Sequence, residues 1–168
     1  MRRDKVLQGL LIIAVLLLMR SPAATAERRT ALVIGNAAYE VGPLRNPGND
    51  AHDMAAALQR LGFEVTLRRD VDRCTIQEAI DAFSHRLRQG GVGLFYFAGH
   101  GLQVQGENYL IPLRAHINRE QDVPYEAVPV GRILGGMEDA GNSLNILILD
   151  ACRDNPFARK WRSTQRGS

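Results

Sequence analysis

The chain has 168 residues, 45% of them hydrophobic and 23% charged, which suits one soluble globular domain with a real core and leaves no comfortable room for two. Its formal charge of +3 comes from 21 Lys and Arg against 18 Asp and Glu, and residues 1–26 hold Arg2, Arg3, Lys5 and Arg20 against Asp4 alone. The remainder balances at 17 against 17, so net charge gives no reason to expect nucleic acid or an anionic membrane as partner.

Met1 to Lys5 make a basic start, Val6 to Met19 are almost unbroken apolar sequence, and Ser21 to Ala26 supply small residues in an Ala-x-Ala arrangement. This layout predicts a secretory signal peptide over 1–26, ahead of a domain over 27–168. The expected location is periplasmic or secreted. An uncleaved segment anchoring the domain to the inner membrane is the alternative, although the apolar run falls short of the roughly 20 residues a span needs.

Arg29 to Asn36 is an apolar run ending in a Gly-Asn turn and predicts the first buried strand. Ala37 to Asn49 reads as a loop punctuated by Gly42-Pro43, Asn46-Pro47 and Gly48-Asn49. A helix over Asp50 to Leu61 follows, with Met54, Ala55, Leu58 and Leu61 at helical spacing, Asn49 or Asp50 as cap and Gly62 as terminator. Phe63 to Leu67 alternates, as a strand near a sheet edge does. The turn at Asp70 to Arg73 leads into a second helix, with Ile76, Ala79, Ile80, Phe83 and Leu87 on one stripe and Gly90-Gly91 at its end.

Val92 to Phe97 is apolar throughout, which implies cover on both faces and a parallel sheet. The order strand, helix, strand, helix, strand predicts a three-layer α/β domain. Gly101 to Ile111 reads as a hairpin turning at Gln105-Gly106-Glu107-Asn108, and Pro112 to Val128 as an irregular, polar surface or lid segment. Pro129 opens a helix bearing Ile133, Leu134 and Met137, and Leu144 to Leu149 is the fourth core strand.

The apolarity of that strand stops at Asp150, and Cys152 follows two residues later. His100 leaves the third strand 52 positions upstream, in Gly99-His100-Gly101. A parallel sheet delivers both to its C-terminal edge, where open α/β folds keep their chemistry. Peptide hydrolysis by a cysteine needs a thiolate and an imidazole that raises the thiolate fraction and then protonates the leaving amine. The Gly101 N–H, with no side chain in the way, is a candidate oxyanion donor, and the Cys152 N–H its partner. The blander readings are an ordinary loop histidine and a small buried hydrophobe at a strand end. Cys74, the other cysteine, has no spacing that compels a disulfide, and two cysteines with four scattered histidines argue against a structural zinc site.

The stretch Asp150-Ala151-Cys152-Arg153, with a histidine 52 residues upstream, is similar to the caspase signature. Ala31 to Asn36, Leu44 to Ala51, Tyr96 to Gly101 and Leu149 to Pro156 extend the match to four motifs in order over residues 30–156. On these the chain resembles the caspase-like cysteine peptidases of the metacaspase and bacterial caspase-homologue type. The resemblance implies a three-layer caspase-like (caspase-haemoglobinase) α/β fold with a mostly parallel central sheet and a His100–Cys152 catalytic dyad. It also implies cleavage after Arg or Lys, with Asp50 and Asp150 as pocket acids for the P1 side chain. Charge agrees, since a guanidinium needs a carboxylate partner and two acids reject an Asp side chain. Arg45 lies near the position of the arginine that binds P1 Asp in true caspases and reads as a loop or surface residue, and Ala98 stands where many metacaspases carry a pocket Ser. Asp53 reads as solvated. The resemblance leaves calcium open, with Asp154 as one candidate ligand, although no convergent ligand set is visible in the sequence.

A domain of this kind continues past its Cys for two more core strands. The resemblance therefore implies that C-terminal strands are missing here, leaving an apolar edge that another protein chain would complete. The expected partners are a peptide or protein substrate with a basic P1 residue and such a completing chain. The rival expectation is a catalytically inactive caspase-fold scaffold or interaction module. Arg68-Arg69 and Arg159-Lys160 are dibasic pairs of the processing-site kind, and Arg159, Lys160, Arg162 and Arg166 read as a solvated basic tail.

Overall fold

The computed structural model of the protein describes residues 27–152 and Phe157, with Cys152 described through its backbone. The expected signal peptide, Asp154 and the basic tail lie outside the described residues. Strand β1 (Arg29–Gly35) is followed by α1 (Pro47–Arg60), β2 (Glu64–Arg69), α2 (Arg73–Leu87) and β3 (Val92–Val104). β4 (Glu107–Leu110) turns back on β3. A 3-10 turn (Glu120–Asp122) and the short α3 (Val123–Glu126) then lead to β5 (Val128–Pro129), α4 (Val130–Asp139) and β6 (Leu144–Cys152).

β2, β1, β3 and β6 run parallel, with β1 and β6 flanking β3 and β2 on the outer side of β1, the edge position its alternation predicts. α1 covers one face through Ala51, Ala55 and Leu58, packed on Ala31, Val33, Leu94 and Tyr96. α2 and α4 cover the other through Ile76, Ile80, Phe83, Ile133 and Met137, packed on Leu32, Ile34, Phe95 and Phe97. Successive residues of β1 and β3 thus enter opposite cores, which is why both strands read as unbroken apolar runs. The result is the expected three-layer α/β architecture with a mostly parallel sheet.

Three local expectations are corrected. α1 begins at Pro47, with Asn46 at its N-cap, so Asn49 and Asp50 lie inside the first turn and cap nothing. Proline presets the φ that a first helical residue needs, and that outweighs the capping preference of the residues behind it. β3 does not stop at Phe97. It continues through the glycines to Val104, losing β1 at Ala98 and gaining β4 from Gly101, so the change in composition marks a change of neighbour rather than a strand end. Gln105 (φ 50°) and Gly106 (φ 85°) make the two-residue turn between β3 and β4. The segment from Pro112 to Val128 lies largely at the surface, as expected, but it is not polar throughout. Ile117, Val123 and Ala127 join Tyr39, Leu102, Val104, Ile111 and Phe157 in a third apolar cluster beneath the hairpin.

Candidate active site

The site is built from the exit of β1. Gly35 lets the first turn of α1 close on the strand, since a Cβ there would lie 2.6 Å from the Ala51 Cβ and closer still to the Pro47 carbonyl. Asn36, fully buried, donates Nδ2–H to the Val71 carbonyl (3.0 Å) and accepts the Val71 N–H at Oδ1 (2.9 Å). Asp70 returns the tie, its Oδ1 accepting the N–H groups of Ala37 (2.8 Å) and Ala38 (3.0 Å). These four bonds pin the loop after β1 to the chain leaving β2, and the pinned loop carries Tyr39 and Gly42.

Tyr39 and His100 are in contact, ring centroids 4.5 Å apart and planes tilted by 51°. The Tyr39 hydroxyl accepts the His100 N–H (3.0 Å) and donates to the Ile111 carbonyl (2.9 Å), while the Ile111 N–H goes directly to the His100 carbonyl (2.9 Å). Burial pushes the Tyr39 phenol far above its ordinary value, so it stays a neutral donor. His100 Nε2 lies 2.6 Å from the Gly42 carbonyl. A carbonyl only accepts, so Nε2 carries the proton and Nδ1 of the neutral imidazole keeps its lone pair. Gly42 itself has φ 67°, a left-handed conformation that glycine adopts without strain.

Parallel pairing of β3 with β6 sets His100 and Cys152 opposite each other in register, on strands spaced by about 4.8 Å. Gly101 is next to His100. Even-numbered residues of β3 bond towards β1, as the Asn36 N–H to the Ala98 carbonyl shows, and the Gly91 carbonyl bonds on the β6 side to Ser143. Continued alternation turns the Gly101 N–H away from β4 and towards the side on which β6 runs.

The two acids approach one hydroxyl. Tyr96, buried on the α1 face of β3, donates to Asp150 Oδ2 at 3.2 Å. Its phenol is pushed up to about 12, first by burial, then by the charge of Asp150 and its hydrogen bond, and last by the charge of Asp50. Asp50 is half-buried in the first turn of α1, Asp150 is exposed, and Ala98 is the register partner of Asp150. Arg45 and Asp53 are exposed and make no part of this group. A cleft opens beside His100, with Tyr39, Glu40, Arg114 and Phe157 among its walls.

Tyr39 and the Gly42 carbonyl were not legible as site residues. The sequence shows only an aromatic in a loop and a Gly-Pro turn. Cys74 is a free, exposed thiol within reach of the Glu78 carboxylate (3.5 Å). Among the described residues no group of three or more His, Cys, Asp or Glu side chains converges.

The chain matches the caspase domain family over residues 28–167. It is 33% identical over 132 residues to mucosa-associated lymphoid tissue lymphoma translocation protein 1 of Homo sapiens and to its Mus musculus homologue. That match takes in 76% of this chain and spans 15% of the length of those curated relatives. Among solved structures, the Drosophila initiator caspase Dronc superposes with a TM-score of 0.60 at 12% identity, over 77% of this chain and 50% of that one. A Geobacter sulfurreducens protein does so with a TM-score of 0.59 at 21% identity, over 74% and 50%. These two likenesses speak to the fold.

Proposed function

The chain belongs to the caspase family, a family of cysteine peptidases, and on that premise we propose that it hydrolyses peptide bonds after Arg or Lys through His100 and Cys152. The observation that carries the reading is the β3–β6 register, which pairs His100 with Cys152 where the strands leave the parallel sheet. His100 Nδ1 takes the thiol proton, and the sulfur attacks the scissile carbonyl carbon. The N–H groups of Gly101 and Cys152, released from the last rungs of the β3–β6 ladder, receive the developing oxyanion, and the same imidazole then protonates the departing amine. The Gly42 carbonyl holds the Nε2 proton and favours the imidazolium that forms in between. Water completes the cycle by hydrolysing the thioester.

Asp50 and Asp150 supply the preference for a basic P1 residue. A guanidinium or ammonium between them forms ion pairs with the two carboxylates whose charges reach the Tyr96 hydroxyl, and an acidic P1 side chain meets two like charges. The natural setting is the periplasm or the extracellular space.

A fluorogenic peptide with Arg at P1 tests the reading. Cys152→Ala and His100→Ala should each lower turnover by roughly 1,000-fold or more, and Asp150→Asn should lower kcat/KM for Arg far more than for a neutral P1 residue. Equal turnover by the unaltered chain and Cys152→Ala would sink the proposal. A second reading, a non-catalytic module whose β6 edge receives another chain, is favoured by the exposure of Leu144, Ile148 and Leu149. It predicts that an Arg chloromethylketone leaves Cys152 unlabelled.

A further inference from the structure

The reaction as written uses the imidazole of His100 and the carbonyl of Gly42 but leaves Tyr39 without a part. We propose that Tyr39 is a positioning residue for His100, its hydroxyl wedged into the β3–β4 ladder and its ring against the imidazole, so that together they set the direction in which His100 faces Cys152. The inference rests on the reading of His100 and Cys152 as a dyad and deepens it.

In an uninterrupted antiparallel pair, His100 and Ile111 would exchange two N–H···O=C bonds. One is present, from the Ile111 N–H to the His100 carbonyl at 2.9 Å. The other is replaced by the phenol, with 3.0 Å on the His100 side and 2.9 Å on the Ile111 side. Two such bonds meeting at a bent oxygen hold the end groups roughly 5 Å apart, where a direct bond holds them at about 3 Å. The strands are thus splayed on one side of His100 and closed on the other.

The wedge is built into the fold. Tyr39 is 7% exposed and sits in the third apolar cluster. A Cβ at Gly99 would lie 2.6 Å from its hydroxyl oxygen, so the residue before His100 leaves the space the phenol occupies. The loop that bears Tyr39 is tied down by Asn36 and Asp70. His100 is then held at its backbone N–H, at its ring face and at Nε2, which leaves Nδ1 as the free corner. Phenylalanine at position 39 would fill the same apolar space. It would leave the His100 N–H and the Ile111 carbonyl unpaired, and the ladder would draw together to mend them.

The test uses the full chain and follows the pH dependence of iodoacetamide alkylation at each cysteine by peptide mass spectrometry, for the unaltered protein, Tyr39→Phe and His100→Ala. Cys74, exposed in the first turn of α2, is the internal control. Glu40 and Arg114, the charged groups on the cleft walls, are the same in all three proteins. The Cys152 midpoint of Tyr39→Phe should move upward, towards that of His100→Ala, with the Cys74 profile unchanged. Turnover of the Arg peptide should fall by about tenfold in kcat with KM changed less than about threefold. If Tyr39→Phe keeps the unaltered midpoint and kcat while His100→Ala shifts the midpoint, the inference is overturned and the dyad reading stands. If His100→Ala shifts nothing, both fall together. Should Tyr39→Phe fail to fold, hydrogen exchange at the His100 amide of the unaltered chain decides: protection supports the hydroxyl contact, and exchange at an open-loop rate overturns it.

Discussion

The two halves of the candidate dyad arrive on strands of opposite character. β3, which carries His100, has β1 on one side and β6 on the other, and Val92 to Gly99 are buried. β6, which carries Cys152, pairs with β3 alone among the described residues, and Leu144, Ile148 and Leu149 are 52%, 36% and 38% exposed. His100 is also bonded to Tyr39 and Gly42, from a loop that is itself held by Asn36 and Asp70. The candidate general base is over-determined, whereas the strand of the candidate nucleophile is paired on one side only among the described residues. Changes on the β1 side should therefore be felt as stability, and changes on the outer flank of β6 should barely register in folding.

The hardest break on the well-supported side is Gly35→Ala. The added methyl would meet the Ala51 Cβ and the Pro47 carbonyl, both in the first turns of α1, and the backbone cannot yield there without moving Asp50. A loss of about 3 kcal/mol in denaturant unfolding is expected. An unchanged midpoint would mean that α1 is not seated by the exit of β1. Asn36→Ala comes next. It leaves the Val71 N–H without a partner and the Val71 carbonyl with only the Leu113 N–H, at a cost of about 1.5 kcal/mol. Asn36→Asp should recover only part of this, because a carboxylate accepts the Val71 N–H and repels the Val71 carbonyl.

What was legible in the sequence follows from the same contrast. The stripe Ile76, Ala79, Ile80, Phe83 and Leu87 is buried as its spacing predicts, and β1, β3 and β6 contain the apolar runs that predict them, β3 running on to Val104 and β6 to Cys152 with Leu144, Ile148 and Leu149 exposed. Asp50 and Asp150 could be singled out through the family resemblance, and Asp150 also as the charge that ends the apolar run of β6. Tyr39 could not. Its role depends on a hydroxyl reaching between residues 100 and 111, a contact across more than sixty positions that no local pattern encodes. Gly42 acts through its carbonyl, which every residue has. The start of α1 is hidden because Asn49 and Asp50 carry capping chemistry while the preset φ of Pro47 sets the boundary. The burial of Ile117, Val123 and Ala127 is not legible because a segment without periodicity hides which of its apolar residues face inward.

Tyr96 joins the two regions, since its hydroxyl reaches from β3 to Asp150 on β6. Its phenol titrates near 12 in the folded chain against 10.0 when free, because burial and the two carboxylates oppose the phenolate. The folded state therefore holds this proton more tightly, and the stability it confers is intact below pH 10 and lost as pH rises through about 12. Tyr96→Phe should flatten that alkaline decline in melts between pH 9 and 12 while costing about 1 kcal/mol or less at neutral pH. A decline of unchanged steepness would assign it to other phenols, such as Tyr39, and leave β6 without this tie.

The smallest effect belongs to the outer flank of β6. Leu144→Lys with Ile148→Lys places two charges on side chains that are already 52% and 36% exposed, so unfolding should change by no more than about 0.5 kcal/mol. The same exchange at Ile34 or Phe95, both fully buried, would bury an unpaired ammonium and unfold the domain. Lysines at an open edge also block strand addition, so the double variant should self-associate no more than the unaltered chain in sedimentation. A loss above about 1 kcal/mol in the double variant at dilution would show that the β6 flank is covered in the free chain. The contrast between the two strands would then vanish, because Cys152 would be held from both sides as His100 is.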